Sequence, residues 1–184
     1  MSNPALASQH IILIGFKNTG KSTIARALAH KLTRDFFDLD HALMAVYSQQ
    51  FGKSLSCDQI IDQHGEAFFR DLEQQAFADL LQHKPAVIAT GGGAILHETT
   101  RQLMTGHYII HITAQPEIVF GRIMAKGRPA IFPAQESPQL AFKRIWEERS
   151  GIYERLANFS LDNSDRHWPL RVEEIVAHLQ EISS

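Results

Sequence analysis

Residues 15–22 read GFKNTGKS, and the spacing Gly15-x4-Gly20-Lys21-Ser22 is that of a phosphate-binding P-loop. A phosphate chain concentrates negative charge and needs donors that approach closely. Glycines permit the tight turn and leave backbone N–H groups free to wrap the anion. On this reading Gly15, Phe16, Lys17, Asn18, Thr19, Gly20 and Thr23 frame a nucleoside triphosphate, while Lys21 reaches its β and γ phosphates. The Ser22 hydroxyl ligates Mg²⁺, and the helix that follows turns its positive end toward the same anion. Average residue usage yields the pattern in on the order of one random chain in 200 of this length. Here it also lies between an apolar run and a helical pattern, the context it requires, so coincidence is set aside.

Working outward, residues 10–14 (HIILI) form an apolar run suited to a strand buried on both faces. Residues 21–32 place Ile24, Leu28 and Leu32 on one helical face. Further strands are expected at 36–39, 86–90, 108–113 and near 159–161. Between them, residues 41–82 read as mostly helical, broken near Gly52 and Gly65, with Ser56 capping a helix that starts near Cys57. Other helices are expected around 97–104, 115–126, 139–157 and, after a loop to Pro169, 171–182. Residues 1–9 read as a loose leader, and 127–138, with three prolines and a glycine, as a surface loop or lid. Strands alternating with helices predict one α/β domain over residues 1–184. Its expected architecture is three-layer α/β/α with a five-stranded parallel sheet, plus a mobile lid. Ligands in such sheets bind beyond the carboxyl ends of the strands.

The bulk composition excludes several classes. Net charge is −2, from 18 basic and 20 acidic residues, unlike the basic footprint of a nucleic-acid binder. No apolar stretch approaches the roughly 18 residues of a membrane span, and no signal peptide is evident. The single cysteine, Cys57, can form no internal disulfide and belongs to no zinc-ligand pattern. It reads as a bystander, and its isolation suits a cytoplasmic location.

The acidic pair Asp38-Leu39-Asp40 ends the second expected strand, near the phosphate loop. A phosphoryl-transfer enzyme needs one carboxylate near Mg²⁺ and another to orient the attacking hydroxyl. The competing role for Asp40 is to cap the next helix. A GTPase reading fails: Asp62 to Gly65 fits DxxG, but it lies in helix-like sequence and no NKxD motif accompanies it.

The segments GFKNTGKST, FDLD, GEAFFRDLE, ATGGGAIL, GRP, EERSGIY and LDNSDRHWP follow one another between about residues 10 and 170. In this order they resemble the shikimate kinases, small members of the nucleoside-monophosphate-kinase-like P-loop family. The resemblance implies transfer of the γ-phosphate of ATP to the 3-hydroxyl of shikimate, with Mg²⁺, in a cytoplasmic monomer. It assigns Lys21, Asp40 and Arg128 to catalysis, Asp38 (with Ser22) to the metal, and residues 41–82 to the substrate-binding helices. Arg70 and Arg149 would grip the shikimate carboxylate, because a guanidinium fork matches a carboxylate by two parallel hydrogen bonds. Glu73, three residues after Arg70 on the same helix face, would orient that arginine or touch substrate. Gly91, Gly92 and Gly93 would let the backbone approach the substrate ring. Arg128 would close over the γ-phosphate from the lid, and Arg166, in the 162–169 loop, would stack on adenine. Arg122 is balanced between phosphate contact and a surface salt bridge, and Trp168 reads as packing.

Two departures fall where acceptor specificity resides. Many family members continue Arg-Pro with two leucine-like residues, whereas Arg128-Pro129 here precedes Ala130-Ile131-Phe132-Pro133. The segments 52–70 and 128–149 are also slightly long. Two rivals follow. A gluconate-kinase-like enzyme would share the P-loop but need not keep Arg70, Arg149 and the triple glycine. A non-catalytic nucleotide-binding regulator predicts loss of Lys21, Asp38 or Asp40, and all three are present.

Overall fold

Five short segments, each too short for a stable helix, become strands: β1 (Ile11–Ile14), β2 (Phe36–Asp38), β3 (Val87–Ala89), β4 (Tyr108–Thr113) and β5 (Phe159–Asp162). In this computed structural model, residues 4–129 and 131–183 are described. The strands pair in parallel in the order β2-β3-β1-β4-β5, so β1 is central and its carboxyl end delivers the phosphate loop to the middle of the sheet. The register sets Ile12 beside Ile88 on one side and Ile109 on the other.

Side chains alternate across a strand, and all four β1 residues are buried. Ile11 and Leu13, with Val87, Ala89, Ile110 and Ile112, pack against α2 (Lys21–Leu32) and α8 (Trp168–Glu181). Ile12, Ile14 and Ile88 face the opposite way. They meet a larger core from α3 (Leu39–Phe51), α4 (Cys57–Leu80), α6 (Pro116–Met124) and α7 (Pro138–Leu156). The three layers anticipated for the chain follow from this split. A 3-10 turn (Ala94–Leu96) and α5 (Glu98–Met104) lead into β4. Among the described residues, no helix is long and apolar enough to cross a membrane.

Three local findings differ from expectation. Within residues 1–9, expected as a loose leader, Pro4–Ser8 forms a short helix, α1. Leu6 from it is buried in the core, and the Arg34 guanidinium donates to the Leu6 and Gln9 carbonyls at 2.8 Å each. Residues 1–3 of that leader, and Ala130 of the lid segment, lie outside the described residues. Strand β2 ends at Asp38, one residue early, because Asp38 caps α3 with its own side chain. Helix α8 begins at Trp168, so Pro169 occupies its first turn, where a missing N–H costs nothing. Ser56 caps α4 with a full capping box through Gln59. Gly65, at φ 84° and ψ 166°, kinks that helix near its middle, which also disposes of the DxxG coincidence.

Candidate active site

The phosphate loop joins the end of β1 to the start of α2. Gly15 adopts φ 141°, and a Cβ there would stand 2.2 Å from the Ile112 carbonyl oxygen, so only glycine fits. Gly20, at φ 101°, precedes α2 without any side-chain cap. The first amides of α2 are therefore left facing outward as anion donors. The Phe16 carbonyl gathers the loop inward: it accepts from Thr19 Oγ1 at 3.0 Å and from Lys21 Nζ at 2.7 Å. The Phe16 ring points away from the cleft and stacks on Trp146, with centroids 4.4 Å apart. Any contribution of Phe16 to nucleotide binding is therefore through its backbone. From behind, Asn163 Nδ2 donates to the Thr19 carbonyl at 2.8 Å.

Lys21 is buried, and burial lowers its pKa to about 8 against the opposing pull of Asp40 and Asp38. A lysine held this way gains its full charge when an anion arrives beside it.

Asp38 carries two jobs. Its Oδ1 accepts from the Asp40 and His41 amides at 3.1 and 3.4 Å, and its Oδ2 accepts from Ser22 Oγ at 2.6 Å. The capping role weighed for Asp40 thus belongs to Asp38. Asp40 is left free, lining the cleft, and burial followed by the charge of Asp38 raises its pKa. Ser22 Oγ and Asp38 Oδ2 are hard oxygen donors side by side at the helix start. That set fits Mg²⁺, which takes one or two protein oxygens and fills its shell with phosphate and water.

Across the cleft, α4 supplies Arg70 and Glu73, one helical turn apart. Arg70 Nη1 donates to Glu73 Oε2 at 2.9 Å in a buried ion pair, and Nη2 reaches Glu66 Oε1 at 3.1 Å. From α7, Arg149 Nη1 donates to the Gly92 carbonyl at 3.1 Å, which also accepts from Tyr153 Oη. Both arginines are 6% exposed. Arg70 Nε, Arg149 Nε and Glu73 Oε1 are buried without a partner among the described residues. Burial raises the Glu73 pKa despite Arg70 beside it, and burial lowers that of Arg149.

Each residue of the triple glycine clears a different neighbour. A Cβ on Gly91 would stand 2.8 Å from Asp40 Oδ1 and 3.1 Å from Glu73 Oε1. On Gly92 it would stand 3.0 Å from the Lys17 amide nitrogen, and on Gly93 only 2.3 Å from Arg70 Nη2. These glycines are expected to let the backbone approach the substrate ring. The geometry adds that they make room for the acidic pair, the phosphate loop and the arginine.

These groups line one cleft of about 760 Å³ at the carboxyl ends of the strands. It brings together Lys17, Asn18, Thr19, Gly20, Lys21, Ser22 and Thr23 with Asp40, Arg70, Glu73, Arg149 and the three glycines. Arg166, at φ 58°, stands at its margin beside Trp168, which is 43% exposed rather than packed away. Arg128 is not brought in. Its guanidinium donates to the carbonyls of Phe132, Pro133 and Glu136 in its own loop, while Pro129 and Ile131 face the cleft.

Three further lining residues hold positions that the sequence leaves open. Among the described residues Arg122 makes no salt bridge; its Nη2 donates to the Asn163 and Ser164 carbonyls at 2.9 and 2.7 Å, at the cleft margin. Asn163, 2% exposed, is the strut behind Thr19. Cys57 lines the cleft, so it is no bystander in position. Burial, then Asp40 and Glu73, pushes its thiol up to about 12, which keeps it protonated and poorly nucleophilic. Arg122, five residues before the lid, and Asn163, in the 162–169 loop, carried a cue; Cys57 carried none.

A family model described as shikimate kinase matches residues 17–181. A curated shikimate kinase from Thermobifida fusca is 34% identical over 167 residues, spanning 90% of this chain and 91% of its own. One from Corynebacterium efficiens is 32% identical over 177 residues, with 96% and 99% covered. Among solved structures, a shikimate kinase from Acinetobacter baumannii in complex with shikimate superposes with TM-score 0.82 at 25% identity, covering 97% of each chain. A gluconokinase from Sinorhizobium meliloti reaches TM-score 0.58 at 14% identity, with 96% and 94% covered, which is a likeness of fold alone.

Proposed function

The chain belongs to the shikimate kinase family, and from that premise we propose how its residues divide the transfer of the γ-phosphate of ATP to the 3-hydroxyl of shikimate. The products are shikimate 3-phosphate and ADP, a step of aromatic amino-acid (chorismate) biosynthesis. The observation that carries the division is the pair of buried guanidiniums, Arg70 and Arg149, facing Asp40 across the triple glycine.

The phosphate-loop amides, Lys21 and the start of α2 hold the triphosphate. Ser22 and Asp38 hold Mg²⁺, which when bound neutralises phosphate charge and fixes the donor's geometry. Arg70 and Arg149 take the shikimate carboxylate through bidentate hydrogen bonds, which fix ring orientation as well as charge. Their unpartnered Nε atoms are donors still to be used. Glu73 holds Arg70 in place at 2.9 Å. Asp40 then meets the ring hydroxyls. Its raised pKa suits a carboxylate that orients the attacking hydroxyl and accepts its proton as the phosphoryl group moves.

Residues 127–138 act as the lid. Closure would release Arg128 from its loop carbonyls toward the γ-phosphate and exclude water from the reacting centre. Arg166 and Trp168 flank the adenine. The protein acts as a monomer, and its single cysteine suits the cytoplasm.

Phosphorus NMR of the product formed from ATP and shikimate tests the assignment. One ester resonance at the 3-position is expected. An ester at another hydroxyl, or inorganic phosphate alone, would overturn the geometry given to Asp40, Arg70 and Arg149.

A further inference from the structure

Lys17 occupies a variable position of the phosphate loop, where any side chain satisfies the motif. Its amide packs against Gly92, whose added Cβ would stand 3.0 Å away, so the residue sits where the donor loop meets the acceptor side. Its side chain lines the cleft with Asp40 and Arg70 and ends 3.8 Å from Asp58 Oδ2, on the first turn of α4. The ion pair spans the cleft from phosphate loop to acceptor helix. The Lys17 charge is also felt on both sides: it adds to the burial that lowers the Lys21 pKa and opposes the burial that raises the Asp40 pKa.

A half-exposed ion pair at this separation is weak. A triphosphate carrying several negative charges outcompetes one carboxylate for the same ammonium. Meanwhile Arg128 is occupied by its own loop carbonyls. Lys17 is therefore a weakly held cation at the cleft, on the loop expected to wrap the phosphates.

We propose that Lys17 is a catalytic residue: parked over the cleft by Asp58, its ammonium moves to the γ-phosphate and offsets the charge that redistributes during transfer. Phosphoryl transfer leaves little covalent work for the protein, so cations placed on the transferring group account for much of the rate. This role rests on the shikimate kinase reading for the identity of the acceptor. It does not depend on it for the contact with the γ-phosphate.

The test compares Lys17→Met, of similar length but uncharged, with Lys17→Arg. Two readouts are needed: kcat with shikimate, and Kd for ADP against Kd for the β,γ-methylene analogue of ATP. For Lys17→Met, kcat should fall by between about tenfold and 100-fold. The analogue should bind at least about fivefold more weakly while ADP affinity stays within about twofold. Lys17→Arg should recover most of both. A kcat within about twofold of wild type, or equal weakening of ADP and analogue, would overturn the proposal, since a structural role in the loop affects both nucleotides alike. If the wild-type protein phosphorylates no shikimate, the acceptor reading fails, and the affinity comparison still decides Lys17. Lys17→Gln supplies the same comparison should Lys17→Met not fold.

Discussion

Replacing Gly93 by alanine adds one methyl group to the acceptor side and nothing else. Gly93 sits at φ −105° and ψ −5°, which alanine adopts freely, so backbone strain does not contribute. The new Cβ would stand 2.3 Å from Arg70 Nη2 and 2.8 Å from Cζ. Ordinary contact begins near 3.4 Å, so the guanidinium must retreat by about 1 Å. It is the end of a flexible side chain, and the stability cost stays at the low end of overpacking, about 1 kcal/mol. The functional cost is larger. Each charge-assisted hydrogen bond is worth about 1.5–3 kcal/mol. Misplacing the fork that grips a carboxylate should cost about 3 kcal/mol, or upwards of about 100-fold in kcat/KM for shikimate. Steady-state kinetics with shikimate varied, beside calorimetric titration of ADP, separates the two halves of the cleft. ADP affinity should stay within about twofold. A kcat/KM within about threefold of wild type would refute the claim that Arg70, in its observed place, holds the acceptor.

Arg149→Ala should lower kcat/KM for shikimate by upwards of about 100-fold while ADP affinity holds; equal loss of nucleotide binding would show that Arg149 serves the donor side. Because burial lowers the Lys21 pKa to about 8, ATP affinity should decline as pH rises above 8, since binding must then restore the proton; calorimetry should record proton uptake there, and Lys21→Arg should flatten the profile. Phe16→Ala removes a ring that is 4% exposed and stacked on Trp146, so urea unfolding should report a loss of about 3–5 kcal/mol. A loss under about 1 kcal/mol would show that the phosphate loop is not anchored through that stack.

What the sequence disclosed was mostly local. The helix over 21–32 appears where its apolar spacing puts it, the strand over 108–113 forms as expected, and Ser56 caps α4, because each signal is contained in a few consecutive residues. The phosphate loop was legible for the same reason. What stayed hidden depends on residues distant in sequence. Asp38 rather than Asp40 caps α3, a choice decided by the turn of β2 against Ser22. Asn163 supports Thr19 from 144 residues away, and Cys57 enters the cleft because α4 packs beside Asp40. Arg128 marked a lid on paper, yet its position depends on the carbonyls its own loop presents. The three glycines looked alike in the sequence, and only the fold gives each its own neighbour.

The acceptor is the central claim, and ADP release in the presence of shikimate, of gluconate and of no acceptor tests it most directly. The account predicts release that saturates with shikimate, remains at background with gluconate, and matches the phosphate ester formed mole for mole. Release that is unaffected by shikimate, or faster with gluconate, would contradict it.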